Sequence, residues 1–460
     1  MRSGWLKATT ILARVLPPAP RQGILDRFVP LLAGVTVLAF AAGSSSVTRV
    51  TSIGHSLRWV ALAALLVAAA LWSSPRPRLT AGPAIGAASL AGIALLSTFW
   101  SVEPRLTFER AVSLGLLFCT GVLLAAGVRA HPERAAPLLL GVLGGAVAVG
   151  LLGLLLLAVD HSAAVQAASY EAPARFRGFG QDPNTVALLA GVVVPLAAWT
   201  VLAPRRRVAG AVALVLLAGT LVASGSRGGL ASGAIGCALV VLLSVRRRAR
   251  IVAGLAVIVA ATAVGAVVQT LPKARALSPP VPSSTGTAKS SPKQRPRYAD
   301  ANAQYPLDAD VGGPLPGGGQ PALHRSFFST SGRVSAWRGA LHEVARRPVA
   351  GHGFGTEQDV FVDRYYYFVG GLPENSYIGL ALQLGVAGLA ALAALVVVLG
   401  RAGLRGLRGP LRAVGAACLG VLAAGLAAGL FQSYFYSVGN IAAAAFWIPA
   451  FLLGAVRPDE

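Results

Sequence analysis

Three short polar sequences interrupt an otherwise apolar chain, and their residues are of the types that bind an anion and accept a proton. The first is Arg175-Phe176-Arg177-Gly178-Phe179-Gly180, continued by Asp182-Pro183-Asn184; the second is Ser224-Gly225-Ser226-Arg227-Gly228-Gly229; the third is Glu374-Asn375. A guanidinium group presents a planar fork of donors that matches phosphate oxygens, and it keeps its charge. A carboxylate within hydrogen-bond reach of a hydroxyl can accept its proton. The sequence therefore offers fixed cations and one candidate general base.

The arginines of these sequences lie at the ends of apolar spans, where a charge needs a partner. An arginine between two spans is costly unless it meets an anion or water, and the small residues around Arg227 leave room for a ligand. The structural alternative is that Arg177 and Arg227 only snorkel or pair with nearby acids, namely Asp182, Glu171 or Glu374. As a set, the three sequences place cations and a carboxylate at one membrane face, which favours ligand binding.

The composition is that of a membrane protein. Apolar residues make up 55% of the chain and charged residues 12%, and the mean hydropathy is +0.66; a soluble domain carries about 25% charged residues. Apolar runs of roughly 17 to 25 residues recur, and such runs cross a bilayer as helices. They predict an all-α integral membrane protein, a bundle of about twelve transmembrane helices with one large extracytoplasmic loop between spans 9 and 10. The spans are predicted at 28–43, 57–73, 81–100, 111–128, 136–159, 185–203, 208–224, 229–245, 251–270, 377–400, 412–432 and 438–456.

The net charge of +23 is arranged as a topology signal, not as a nucleic-acid surface. Basic residues concentrate in the N-terminal tail and in alternate connections, and the other short connections hold far fewer. The alternate connections are those with Arg76 and Arg78, Arg129 and Arg134, Arg205 to Arg207, Arg246 to Arg250, and Arg401 to Arg412. This positive-inside pattern predicts a multi-pass plasma-membrane protein with both termini cytoplasmic and its long loop outside.

The predicted organisation is an N-terminal bundle of about nine spans over 1–270, an extracytoplasmic loop over 271–372, and a C-terminal bundle of about three spans over 373–460. Within the loop, 276–323 is dominated by Pro, Gly and Ser, which predicts a flexible segment. The stretch 329–372 is predicted to form an ordered lid.

The lid begins with a predicted amphipathic helix and continues with a glycine-rich turn. Val334, Trp337, Leu341 and Val344 recur at helical spacing, and Pro348 ends the pattern. The glycines of Gly351-His352-Gly353-Phe354-Gly355 favour a tight turn over a nucleotide fingerprint, because the required strand and crossover helix are missing. The aromatic run Tyr365 to Phe368 belongs either to an interfacial belt or to a platform for sugar rings.

The remaining reactive side chains exclude other classes of protein. Cys119, Cys237 and Cys418 each lie inside an apolar span, as packing residues do, and no Cys/His cluster has zinc spacing. The sequence therefore predicts no metal and no cofactor. All 17 acidic residues fall in loops, tails or span ends. Ion-coupled transporters use an ionisable group near the bilayer midplane, so the absence of an acidic residue within a predicted span counts against that class.

The order of the motifs resembles the O-antigen ligase and O-antigen polymerase superfamily. The motifs, which run from about Arg175 to Gly388, are Arg-Gly-Phe…Pro-Asn, Ser-Arg-Gly, Ser-Gly-Arg…Trp…Pro…Gly-x-Gly and Asn-Ser-Tyr…Leu-Gly-Val-Ala-Gly. The resemblance implies transfer of a glycan from an undecaprenyl-diphosphate carrier to an acceptor hydroxyl on a glycan or glycolipid. The transfer would take place at the outer face of the plasma membrane and would need no metal. The enzyme would be an inverting glycosyltransferase that works in the lipid bilayer.

By motif, the resemblance implies that Arg177 and Arg227 hold the lipid diphosphate, and that Arg333 joins them or anchors the loop helix. Substrate contacts are expected from Arg175, Asn184, Ser226 and Asn375. Glu374 stands where the family often has His as the candidate base, and Gln383 stands where many members have Glu. These departures favour a polymerase or another glycan transferase of the superfamily over a lipid A-core ligase.

Two rival functions stay open at the level of sequence. A non-enzymatic flippase or exporter of lipid-linked glycans would also need an arginine-lined cavity, but it should carry polar residues along whole spans, whereas this chain concentrates them at the outer ends. A structural membrane scaffold would not explain the arginines set among glycines. Convergence of Arg177, Arg227, Arg333 and Glu374 on one outward cavity is the observation that favours the enzyme.

Overall fold

The computed structural model describes residues 20–73, 80–166, 174–244, 333–360 and 373–456, and these residues are almost entirely helical. The predicted span at 251–270, the predicted flexible segment 276–323, the aromatic run Tyr365 to Phe368 and the candidate acid Glu171 lie outside these ranges. The division of the chain into two bundles and a loop stays a prediction.

Fourteen helices and a two-stranded ribbon are formed by the described residues. The helices are α1 (Pro20–Gly43), α2 (Thr48–Trp72), α3 (Ala81–Leu96), α4 (Pro104–Ala130), α5 (Ala135–Val159), α6 (His161–Ala164), α7 (Pro183–Leu202), α8 (Arg207–Ser224), α9 (Arg227–Ser244), α10 (Arg333–Arg346), α11 (Glu357–Val360), α12 (Ser376–Gly406), α13 (Arg412–Ala428) and α14 (Ala443–Leu452). The strands are β1 (Val165–Gln166) and β2 (Arg175–Phe176). Short 3₁₀ turns lie at Ser97–Phe99, Pro132–Arg134 and Pro204–Arg206.

Within the described ranges, nine helices are long and apolar enough to span a membrane, which confirms a multi-pass membrane protein. They correspond to the first eight predicted spans and to the tenth. The predicted spans at 412–432 and 438–456 are represented by the shorter apolar helices α13 and α14. The predicted number of twelve is therefore not reached by the described part of the chain.

The chain between α13 and α14 is not helical, and it forms hydrogen bonds with the start of α12. The Ser376 N–H donates to the Gly429 carbonyl at 2.7 Å, and the Ser376 hydroxyl donates to the Gln432 carbonyl at 2.6 Å. The same hydroxyl accepts the Tyr434 N–H at 2.9 Å. The connection 429–442 is thus fixed against the residues that follow Glu374.

One hydrophobic core joins helices from both ends of the chain. All ten residues of α14 are buried, and most of α7 is buried as well. Glycines let the helices approach closely: a Cβ on Gly141 of α5 would overlap the Pro30 backbone of α1. Close packing of small residues is how helices associate in an apolar medium, so this bundle forms a rigid support for the polar turns at its end.

Helix α12 is broken at Gly385, where φ is 62° and ψ is −157°. The loop segment before α11 supplies the backbone hydrogen bonds that the break would leave unmade. His352 and Gly353 N–H donate to the Leu382 and Gln383 carbonyls, at 3.0 and 2.9 Å, and Val386 N–H donates to the Pro348 carbonyl at 2.8 Å. Irregular backbone among membrane helices needs such partners because water is absent.

The glycine-rich turn was predicted correctly as a tight turn. Gly351, Gly353 and Gly355 all have positive φ, at 67°, 113° and 81°. Side chains there would also overlap the α12 backbone, Ser101 and Arg110, respectively. The turn is therefore pressed between α12 and the N-terminal region of α4.

Helix α10 confirms the predicted amphipathic helix, but the buried face was predicted only in part. Ala336 and Ala340 are buried against Leu382 of α12, with Val344 packed beside them, whereas Leu341 is 50% exposed. The contact with α12 is close enough that alanines fill it, so the larger Leu341 lies outside. The Trp337 indole N–H donates to the Pro373 carbonyl at 2.8 Å, which ties α10 to the residue before Glu374.

Candidate active site

A polar cleft lies where four polar turns of the chain meet at one end of the bundle. It encloses about 470 Å³ of space that is open to solvent. Its lining comprises Arg175, Asn184, Leu188, the residues Gly225 to Gly229, Arg333, Ala428, Phe431 and Gln432. Among the described residues that line it are three arginines, and the two glycines after Arg227 let Phe431 and Ala187 approach closely. The cleft is thus a cationic site whose side chains suit a phosphate-bearing ligand.

Arg175 is placed in the cleft by the short ribbon of β1 and β2. Gln166 pairs with Arg175 in antiparallel register, and the Arg175 side chain is 8% exposed. Its Nε donates to the Ser224 carbonyl at 2.7 Å, and its Nη2 donates to Asn184 Oδ1 at 2.6 Å. Arg175 therefore joins the end of α8 to the start of α7 and is held rigidly while it lines the cleft.

Arg227 is the first residue of α9 and follows a tight turn. Gly225 has φ 61°, and the Ser226 hydroxyl accepts the Gly229 N–H at 3.4 Å. The N-terminus of a helix favours an anion, because its first N–H groups lack helical partners and its dipole is positive there. Arg227 and this helix end add their charge on the same side of the cleft.

Arg177 was predicted to act with Arg227, but its side chain is bonded to residues outside the cleft. Its Nε donates to the Gln181 carbonyl at 3.0 Å and its Nη2 to the Ser46 hydroxyl at 2.8 Å. The intervening turn contains Gly178 and Gly180, both with positive φ. Arg177 therefore fixes the turn after β2 to the connection between α1 and α2, and it is not among the residues that line the cleft.

Glu374 forms an ion pair with Arg333 at the edge of the cleft. Arg333 Nη2 and Nε both donate to Glu374 Oε2, at 2.7 and 3.2 Å, and the side chains are 20% and 27% exposed. Burial raises the pKa of the Glu374 carboxyl, against the opposing charge of Arg333. Such a shift brings a carboxylate closer to the pKa that general-base catalysis at neutral pH requires.

The backbone at Glu374 is strained. Its φ is 46°, a conformation that costs a residue with a side chain about 1–2 kcal/mol. Such strain persists only where the surroundings determine the conformation, and it concentrates at functional sites. Here the preceding carbonyl is bound by Trp337, and the following N–H, of Asn375, donates to the Ser433 hydroxyl at 3.2 Å.

Asn375 and Asn184 have structural partners in addition to any ligand. The Asn375 side chain caps α12 by accepting the N–H groups of Tyr377 and Ile378, and its Nδ2 donates to the Leu430 carbonyl at 3.2 Å. Asn184 orients Arg175 from the lining of the cleft. The substrate contacts predicted for these residues and for Ser226 stay predictions.

Two parts of the site were not predicted from sequence. Phe431 and Gln432 line the cleft, although the sequence placed them at the end of a predicted span; a polar pair, Gln432-Ser433, after an apolar run was the available signal. Glu357 is the second: a loop residue by sequence, it is 3% exposed. The sequence placed Glu357 in the loop correctly, but its burial was not predicted.

Within the described ranges, no three His, Cys, Asp or Glu side chains are grouped as metal ligands would be. The cleft offers guanidinium groups, amides and hydroxyls, which suit an anion instead of a cation.

Residues 212–393 match a family model described as O-antigen ligase. The matched part contains Arg227, Arg333, Glu374 and the broken part of α12, and it follows Arg175 in sequence. The resemblance to the O-antigen ligase and polymerase superfamily is therefore confirmed. No curated protein matches the chain.

Proposed function

Because residues 212–393 match the O-antigen ligase family, we propose that the chain is a membrane glycosyltransferase that uses an undecaprenyl-diphosphate-linked glycan as donor. The acceptor is a hydroxyl of a glycan or glycolipid, and the reaction takes place at the outer face of the plasma membrane. The observation that carries the proposal is the cleft in which Arg175, Arg227 and Arg333 converge beside Glu374.

The donor's diphosphate binds in the cleft, between Arg175 and Arg227. Arg175 is held by Ser224 and Asn184 before substrate arrives, and Arg227 projects from the N-terminus of α9. Electrostatic stabilisation of a leaving group is most effective when the cations are placed in advance. In this proposal Arg177 supports the turn that carries Arg175, and Arg175 takes the place beside Arg227 that the motif had indicated for Arg177.

Glu374 is the general base for a direct displacement. The acceptor hydroxyl gives its proton to Glu374 as its oxygen bonds to the anomeric carbon. The bond from that carbon to the diphosphate oxygen breaks, and undecaprenyl diphosphate leaves with the electron pair. Attack opposite the leaving group inverts the anomeric configuration. Both bonds from Arg333 use Oε2, so we assign the proton to Oε1.

The test compares Arg227→Ala with Arg207→Ala in purified protein reconstituted into vesicles. Arg207 begins α8 and is exposed, at the helix end opposite the cleft, so its loss controls for removal of a helix-terminal charge. With undecaprenyl-diphosphate-linked oligosaccharides extracted from the native host, we expect Arg227→Ala to lower the transfer rate by about 10²–10³. Arg207→Ala should transfer at the wild-type rate. Full transfer by well-inserted Arg227→Ala protein would refute the proposal.

The same vesicles test the flippase alternative. A glycosyltransferase lengthens or moves the glycan and releases undecaprenyl diphosphate, whereas a flippase moves the intact lipid-linked donor between leaflets. Products on gels also separate a polymerase, which yields a ladder of chain lengths, from a ligase, which yields one transfer.

A further inference from the structure

A buried carboxylate that the proposed displacement does not use is linked by hydrogen bonds to the residues around Glu374. Glu357 begins α11, directly after the glycine-rich turn, and accepts three side-chain hydrogen bonds. Oε1 accepts from the Ser433 hydroxyl at 3.1 Å. Oε2 accepts from the Tyr436 hydroxyl at 2.7 Å and from Gln383 Nε2 at 3.2 Å. The carboxylate thus joins the loop, α12 and the connection 429–442.

Ser433 leads from this carboxylate to the candidate base. Its hydroxyl donates to Glu357 and accepts the N–H of Asn375, the residue after Glu374. A serine hydroxyl has one hydrogen and two lone pairs. Donation to Glu357 therefore fixes the hydroxyl rotamer that directs a lone pair at the Asn375 N–H, and this bond helps to hold Glu374 at its positive φ.

The surroundings are shaped to admit the carboxylate. A Cβ on Gly379 of α12 would overlap both the Tyr436 hydroxyl and Glu357 Oε1. The Gln383 Oε1 accepts the Gly355 N–H at 2.6 Å, which turns the amide nitrogen towards Glu357. A buried polar network stabilises one geometry when each of its members is satisfied.

We infer that Glu357 is a positioning residue that acts through Ser433 to hold the backbone of Glu374 and Asn375 in the geometry for glycan transfer. The inference rests on the proposed role of Glu374 as base.

The charge of Glu357 changes near neutral pH. Burial raises the pKa of Glu357 to about 7, against the opposing hydrogen bonds from Tyr436 and Ser433 and the charge of Arg110. Arg110 comes from α4 and donates to the Gly355 carbonyl at 2.5 Å. All three hydrogen bonds can be donated to Glu357 when its carboxylate is ionised; protonation would require one of the hydroxyl partners to reverse its bond.

The test uses Glu357→Gln, Ser433→Ala and the double variant, with Tyr436→Phe as the matched control. Tyr436→Phe removes a hydrogen bond to Glu357 without touching Asn375. We expect Glu357→Gln and Ser433→Ala each to lower kcat by about 10–100-fold with KM unchanged. The double variant should be no slower than the slower single variant, and Tyr436→Phe should retain kcat within about threefold.

The rate of amide hydrogen exchange in the peptide 373–378 is a second measurement, and it needs no glycan donor. Exchange should be faster in Glu357→Gln and Ser433→Ala and unchanged in Tyr436→Phe. Wild-type exchange in Glu357→Gln, additive losses of kcat, or an equal loss in Tyr436→Phe would each overturn the inference. If the wild-type protein transfers no glycan, the proposed function fails, and the exchange result still decides the positioning role.

Discussion

If Glu374 is the base, as we propose, Arg333 sets the pH at which it can act, and removing the charge of Arg333 should give a measurable shift. The two donor atoms of Arg333 lie 2.7 and 3.2 Å from Glu374 Oε2, and both side chains are mostly buried. An opposite charge at such a distance lowers the pKa of a carboxyl by about 1–3 units. In Arg333→Gln this lowering is lost, so the pKa of Glu374, already raised by burial, should rise further.

The sign of the effect on activity follows from the role of the base. Glu374 must be ionised to accept a proton, so activity falls as pH drops through its pKa. We expect the acidic limb of the pH profile of kcat/KM, which reports ionisation in the free enzyme, to move up by about 1–3 pH units in Arg333→Gln. Arg333→Lys keeps the positive charge and should move the limb less.

The measurement is the transfer rate against pH in vesicles for wild type and both variants. Glu357 is unchanged in all three, so the ratio of a variant's rate to the wild-type rate at each pH removes its titration. A ratio for Arg333→Gln that does not fall as the pH drops would refute the assignment of Glu374 as the base. The plateau at high pH is informative as well: a lower plateau in Arg333→Gln indicates that Arg333 also contacts the leaving diphosphate, and an equal plateau indicates that it only tunes Glu374 and anchors α10.

Two further predictions compare paired variants. Arg175→Ala should lower kcat/KM by about 10²–10³, whereas Arg177→Ala should cost less than about tenfold because its guanidinium binds Gln181 and Ser46; equal initial-rate losses would contradict the geometry. Gly385→Ala should lower both the thermal unfolding temperature and transfer, because a side chain at its positive φ overlaps the Val349 carbonyl. Gly400→Ala on the same helix, with open space around a Cβ, should change neither.

The membrane spans could be predicted because hydropathy and length act locally. The candidate site was only partly predictable, since it depends on which of two nearby arginines turns into the cleft. Arg175 and Arg177 have the same chemistry, and their separation follows from a two-residue ribbon and from the left-handed turn through Gly178 and Gly180. Neither feature has a sequence signal strong enough to assign the direction of a side chain.

Burial of a loop residue was equally hard to foresee. Glu357 follows three glycines whose positive φ values direct the chain back against α12, and this path brings the carboxylate inside. The prediction of which face of α10 is buried was partly wrong for a related reason. Apolar size favours Leu341 as a core residue, but the face of α10 that packs on Leu382 carries Ala336 and Ala340.

The segment 348–353 and the start of α10 are held to the bundle by different kinds of contact. The segment 348–353 completes backbone hydrogen bonds of α12 on both sides of Gly385, and unpaired backbone groups in apolar surroundings cost several kcal/mol each. Separation of the loop there would therefore disrupt the membrane helix. The start of α10 is held to residues 373 and 374 by the Arg333–Glu374 ion pair and by the hydrogen bond from the Trp337 indole to the Pro373 carbonyl. In the proposed mechanism, a diphosphate that draws Arg333 into the cleft would weaken that hold, and loss of the Arg333 charge from Glu374 would make its carboxylate a stronger base.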